Sequence, residues 1–255
     1  MERFEQRRFR TAARHYLAGR PAYAERLIAR VAEVCGLRTT DRVMDLGCGP
    51  GQLARAFAPY VQDVLALDPE PEMLRAARDA WGGVSNIEWR EGSSTDLSEA
   101  LGRFRMVCMG RSFHWMGRAE TLRQLDRLIE AEGAVVLLHD THSQVPDNAW
   151  YAGYRAILDR YATGDPARAM VRAPGWVRHE GVLLDSAFAQ LEEIAVIERR
   201  EVEREALVER ALSMSSTSRA RLGERADEMV AELRRELPDH VREVVASVAL
   251  IGRRE

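Results

Sequence analysis

The segment Val43-Met44-Asp45-Leu46-Gly47-Cys48-Gly49-Pro50-Gly51-Gln52-Leu53 constrains this chain more than any other. It reads as a buried strand, a glycine turn and the start of a helix. Each glycine removes a β-carbon that would stand between main chain and ligand, and each permits a positive φ. A second apolar run, Val64-Leu65-Ala66-Leu67, ends at Asp68. A glycine turn after one strand and an acid after the next is how an α/β fold holds a nucleoside. The main chain approaches at the turn and the carboxylate accepts from ribose hydroxyls.

The glycine spacing narrows the ligand. A dinucleotide fingerprint from Gly47 requires Gly or Ala at position 52, where Gln52 stands, and no Gly-Lys-Ser/Thr follows to make a phosphate loop. A formal net charge of −3 argues against a general nucleic-acid footprint. The chain has no lysine, which excludes lysine Schiff-base chemistry. Cys35, Cys48 and Cys108 lack the spacing of a zinc site or a disulfide framework, so no metal is expected. The charged stretch Met1–Arg10 has no apolar core of a signal peptide, and no apolar run is long enough to span a membrane. A cytoplasmic protein is expected.

Strand and helix patterns alternate, which predicts an α/β fold with helices on both faces of a parallel sheet. Strands are expected at Arg42–Leu46, Val64–Leu67, Ile87–Arg90, Met106–Met109, Ala134–His139, Glu192–Arg200 and Val244–Ile251. Helices are expected at Arg20–Val34, Gln52–Ala58, Pro71–Ala80, Ala119–Ala131, Asn148–Arg160, Ala206–Met214 and Ser218–Leu237. The alternation breaks over residues 141–180, read as a cap over the sheet's carboxyl edge. The whole of 1–255 reads as one domain, with 1–20 as an N-terminal lid.

Four stretches carry a family likeness: Tyr16-Leu17-Ala18-Gly19-Arg20-Pro21-Ala22-Tyr23, the glycine loop with Asp45 and Asp68, Glu91-Gly92-Ser93-Ser94-Thr95-Asp96-Leu97, and Ser112-Phe113-His114-Trp115. Ser213-Met214-Ser215 adds to them. Together they resemble the class I methyltransferases that use S-adenosylmethionine (SAM), and more narrowly the small-molecule, methyltransferase type 11 group with trans-aconitate methyltransferase-like enzymes. Thr95 in place of an acid, Ser94 in place of alanine, and Arg111-Ser112 in place of Gln-Ala depart from the group's pattern.

The resemblance implies a Rossmann-like, mostly parallel seven-stranded sheet with an antiparallel last strand. It also implies SAM as cofactor, S-adenosylhomocysteine (SAH) as product and a small-molecule acceptor, with no nucleic-acid or membrane partner. Gly47, Cys48 and Gly49 would wrap the methionine part and Asp45 would help hold its amino group. Asp68 would take the ribose diol. Pro69, Met73 and Leu97 would flank the adenine, with Ser93 and Ser94 at its edge. Arg20 would neutralise the tail carboxylate, Tyr16 would close the site, and Arg111 would stand at its rim. For a hydroxyl acceptor, His114 is a candidate base. His142 with Asp140 as its orienter is another, both placed at the carboxyl edge where α/β sites assemble. Trp150, Tyr151 and Tyr154 are read as either acceptor-pocket or core residues. Arg111, Arg172 and Arg178 are candidates to greet an anionic acceptor.

Four other readings fit less well. A metal-dependent catechol-type O-methyltransferase wants a carboxylate cluster after the fourth and fifth strands, where Asp140 alone is too little. A nicotinamide oxidoreductase wants the other glycine spacing. Methylation of RNA or DNA wants an Asn/Asp-Pro-Pro-Tyr/Phe run where Met109-Gly110-Arg111-Ser112 stands. A non-catalytic SAM-binding module would retain the same loop and acid.

Overall fold

The computed structural model describes residues 11–162 and 173–255. Arg172, the start of the expected lid and part of the expected cap lie outside these residues. The sheet order is β3-β2-β1-β4-β5-β7-β6. Its first five strands are β1 (Arg42–Leu46), β2 (Asp63–Asp68), β3 (Ile87–Glu91), β4 (Phe104–Gly110) and β5 (Ile129–His142). They pair in parallel, whereas β7 (His240–Arg253) runs antiparallel to β5 and to β6 (Gln190–Glu203). This is the expected seven-stranded α/β sheet with its reversed last strand. The chain order turns outward in both directions from β1 and β4, so their carboxyl ends form the crevice where ligands bind in such sheets.

Hydrophobic pattern explains the layering. β1, β2 and β4 are buried almost throughout, as strands covered on both faces must be. One core lies under α2 (Glu25–Val34) and α3 (Gln52–Phe57) and contains Leu27, Val31, Phe57 and Val64. The other contains Met44, Leu65, Phe104 and Leu125, the last from α5 (Arg118–Leu128). α4 (Pro71–Trp81) follows β2, with Pro71 in its first turn, where the missing N–H costs nothing.

Several element boundaries differ from the sequence reading. The helix expected from Arg20 begins at Glu25, because the residue before Pro21 is held extended, with Arg20 at φ −108° and ψ 107°. A separate short helix, α1 (Ala13–Gly19), precedes it. Gly133 does not close α5. It lies inside β5, at an irregularity of the β4–β5 register, where a β-carbon would meet the Arg105 carbonyl oxygen at 2.7 Å. Ser218–Leu237 is two helices, α9 (Arg219–Leu222) and α10 (Arg225–Glu236), broken at Gly223, whose φ is +59°. α6 (Ala149–Tyr161) builds a third core with α10 and α8 (Arg204–Leu212), while α7 (His179–Leu184) lies between α6 and β6 in the chain.

α1 is fastened to α8. A β-carbon on Gly19 would lie 2.2 Å from the Arg210 backbone nitrogen, so the two backbones touch there. Nδ1 of His15 bonds Glu209 at 2.6 Å, and Nε of Arg210 donates to the Gly19 carbonyl at 3.0 Å. Gly19→Ala is expected to cost about 1–3 kcal/mol by overpacking, lowering Tm by roughly 2–10 °C. Thermal unfolding followed by circular dichroism checks this; an unchanged Tm would contradict the close contact.

Candidate functional site

A cavity of about 320 Å³ opens at the carboxyl ends of β1, β2 and β4. Among the side chains expected from sequence, Tyr16, Arg20, Gly47, Gly49, Asp68, Pro69, Met73, Ser93, Ser94, Arg111 and His114 line it. They come from α1, from the loops after β1, β2 and β3, and from the turn after β4.

The glycine loop is held from β2. The Leu67 carbonyl accepts from the N–H groups of both Gly47 and Cys48 at 2.8 and 2.9 Å. Asp68 Oδ2 accepts from the Gly49 N–H at 2.7 Å, while its Oδ1 accepts from the Glu70 N–H at 2.9 Å. Gly47, Gly49 and Gly51 all have positive φ. At Gly49 a β-carbon would stand in open space, with Met73 Sδ nearest at 4.0 Å, so its absence widens the cradle. At Gly47 the reason is packing, because a β-carbon would collide with Ser112 at 2.6 Å. Burial raises the Asp68 carboxyl pKa to about 6, against the lowering effect of its two backbone donors.

At the far end, Nε of Arg20 donates to Ser213 Oγ at 3.0 Å and the guanidinium lies 4.9 Å from the Tyr16 ring centroid. Among the described residues Arg20 forms no ion pair with a carboxylate. Burial lowers its pKa, the mark of a cation short of counter-charge, so an anion placed beside it would be favoured. Arg111 has φ +58°, and among the described residues it alone outside glycine adopts positive φ. Its guanidinium reaches Asp140 at 3.3 Å and Gln52 at 3.5 Å and lies 5.0 Å from the Tyr23 ring centroid. Such backbone strain is held in place by surrounding contacts and concentrates at functional sites.

Other expected residues sit elsewhere. Asp45 does not line the cavity; it is buried beneath the loop, where Oδ2 accepts from the Ala54 N–H at 2.9 Å and Oδ1 has no hydrogen-bond partner among the described residues. Burial raises its pKa to about 7. Cys48 turns into the core under α2 and α3, and Leu97 into the core shared with α5. Ser93 lines the cavity but spends its hydroxyl on Asp96 and Thr95, closing its own turn.

The expected His142–Asp140 pair is corrected. Asp140 accepts from Ser247 and Arg111, whereas Nε2 of His142 bonds Glu243 at 2.7 Å and its ring stacks on Tyr151. The β5–β7 register is the cause: it sets Asp140 opposite Ser247 and His142 opposite Val245, next to the residues that capture each side chain. Glu243 is fully buried and also binds Arg200 and Arg210, so His142 belongs to an ionic hub beyond the cavity. Trp150 and Tyr154 donate to main-chain carbonyls in the third core, and with Tyr151 they leave the cavity to other side chains.

The cavity also takes Gly110, Met116, Met214 and Ser215, to which sequence assigned no role. Gly110 carried a readable signal: it ends an apolar strand, and a β-carbon there would press on Leu53 and the Tyr23 hydroxyl. Among the described residues, no group of three or more His, Cys, Asp or Glu is placed to hold a metal ion, and no helix is long and apolar enough to cross a membrane.

Comparison with known proteins agrees with this architecture. A methyltransferase domain profile matches residues 43–133. An uncharacterized methyltransferase-like protein of Schizosaccharomyces pombe is 26% identical over 65% of this chain and 63% of its own. The trans-aconitate 2-methyltransferase of Mycobacterium ulcerans is 30% identical over 60% of this chain and 52% of its own. The chain thus spans under two thirds of the length of these curated relatives. A SAM-dependent methyltransferase from Geobacter sulfurreducens, solved with SAH, superposes over 100% of both chains with a TM-score of 0.55 at 16% identity.

With Asp45 protonating near pH 7 in the folded chain and near 3.8 otherwise, the native state holds the extra proton between these values. Its contribution therefore makes stability fall as pH rises from about 4 to about 7. Asp45→Asn keeps an acceptor for Ala54 and is expected to remove this component. Urea unfolding across that pH range checks it; an identical pH dependence in the variant would refute the burial argument.

Proposed function

We propose that this chain is a class I methyltransferase and that it transfers a methyl group from SAM to a small-molecule acceptor. One observation carries the reading. A single cavity has a buried carboxylate on a glycine cradle at one end and, at the other, a buried cation with no carboxylate partner among the described residues. These are the acceptor for a sugar diol and the counter-charge for an amino-acid carboxylate.

The open position at Gly49 fits a ligand lying against main chain. Asp68 would hold the ribose hydroxyls, since an ionised carboxylate has acceptor capacity beyond its two backbone donors. Pro69 and Met73 would wall the adenine, with Ser93 and Ser94 at its edge, and Arg20 with Tyr16 would hold the amino-acid tail. Asp45 acts from below, fixing the first turn of α3 through Ala54. SAM, when bound, supplies a methyl group already activated by a sulfonium, so the protein's work is alignment and exclusion of water. Gly110, Arg111 and Ser112 form the wall beside the loop, and α1 covers it. His114 is the histidine in this wall. With a hydroxyl acceptor it would take the proton; with a carboxylate acceptor no base is required.

The test is calorimetric titration with SAM, SAH and NADH, followed by a screen of acceptors with labelled methyl donor. SAM and SAH should bind and NADH should not. Asp68→Ala is expected to weaken SAM by about 10- to 100-fold, the worth of charge-assisted hydrogen bonds. His114→Ala should lower turnover more than affinity. Unchanged SAM binding in Asp68→Ala would overturn the site assignment, and SAM binding without turnover on any acceptor would favour a non-catalytic module.

SAM affinity should also fall as pH drops through about 6, where the Asp68 carboxylate becomes protonated and loses acceptor capacity. Affinity flat from pH 5 to 8 would contradict a role for the ionised side chain.

A further inference from the structure

A second cavity, about 350 Å³, adjoins the first and shares Arg111, Ser112 and His114 with it. Its walls include Phe113, Trp176 and His179. The His179 ring centroid lies 5.2 Å from that of Phe113, 6.5 Å from that of His114 and 6.4 Å from that of Trp176. Four aromatic rings thus gather along the second cavity, with His114 shared with the first, a setting suited to a flat ring.

The polar groups have a definite sense. Nη1 of Arg118 lies 3.2 Å from Nδ1 of His179 and also donates to the Val177 carbonyl. A guanidinium has no acceptor, so Nδ1 of His179 must be the acceptor and bears no proton. Burial and the Arg118 charge hold this imidazole's pKa at about 4, so it is neutral at physiological pH with its proton on Nε2. His179 therefore offers a donor and cannot serve as a base at Nδ1.

Charge balance separates possible occupants. Glu180 and Glu193 line this cavity together with Arg178 and Arg111. Arg178 is paired with Glu180 at 2.8 Å, and Arg111 is engaged by Asp140. Arg178 also faces Glu193, and His139 lines the cavity with them. A polyanion would meet Glu193 and find both guanidinium groups already engaged, whereas an uncharged ring would meet apolar walls and the Nε2–H donor of His179.

We infer that the second cavity receives the methyl acceptor, and that this acceptor is an uncharged planar ring bearing an oxygen that accepts from Nε2–H of His179. The inference rests on the first cavity's being the cofactor site, since His114 is placed between the two. It moves the expected role of Arg178 from greeting an anion to neutralising Glu180.

Two uncharged planar probes, 1-naphthol and chromone, and one flexible polyanion, citrate, are titrated calorimetrically into the full chain, with and without saturating SAH. Both planar probes should bind and citrate should give no saturable heat. His179→Phe should weaken chromone by about tenfold, the worth of one buried hydrogen bond. His179→Gln, which retains a side-chain N–H donor, should recover most of that loss, and SAH affinity should be the same in all three proteins. Failure of both planar probes to bind, citrate binding as tightly as they do, or equal chromone affinity in His179→Phe and the unaltered protein would each overturn the inference. Failure of SAH to bind the unaltered protein would instead remove the cofactor reading, while the probe titrations without SAH still report on the second cavity.

Discussion

The carboxylate of Asp68, turned inward to the Gly49 N–H, is the contact on which the site depends. It joins the end of β2 to the loop leaving β1, and with the Leu67 carbonyl it fixes three successive loop residues. A loop of alternating glycines has many conformations open to it in solution. Here it is held in one, with left-handed backbone at positions 47, 49 and 51. The cost is an acid buried where its charge is disfavoured, visible in its raised pKa. A ligand that donates hydrogen bonds to this carboxylate offsets that cost, so the strain of the free site favours occupancy.

The remainder of the fold supports this contact. The parallel order β2-β1-β4 brings the three loops to one edge. The antiparallel β7 then returns beside β5, placing Glu243 and Ser247 where they organise side chains around the site's margin. Ser247 and Arg111 hold Asp140, and Asp140 in turn steadies the strained Arg111 turn. Glu243 gathers His142, Arg200 and Arg210, and Arg210 reaches on to the Gly19 carbonyl beneath the cover formed by α1. Removing one member of such a buried group costs far more than the group adds as a whole, because the others are left uncompensated.

Much of this was legible in sequence because it is local. The strand–glycine–helix segment, the acid ending β2 and the Ser93-Ser94 turn each sit within a few residues of the structure they dictate, and the sheet brings them together. Arg20 and Tyr16 were legible only through a family likeness, since no periodicity marks them. The His142–Asp140 pair failed for a physical reason: proximity along β5 is outweighed by partners from β7, over a hundred residues away in the chain. The break at Gly223 was hidden because the Arg-Ala-Arg-Leu run before it and the Glu/Arg pairs after it continue the helical pattern. The second cavity was unreadable because residues 176–180 have no periodic pattern, and their role comes from docking against Phe113 and His114.

The most direct measurement is a crystal structure of the protein soaked with SAH. This account predicts the ribose hydroxyls on Asp68, the main chain of positions 47–49 against the ligand and its carboxylate beside Arg20. Density for the ligand outside that crevice, or a sugar held by other side chains, would contradict it.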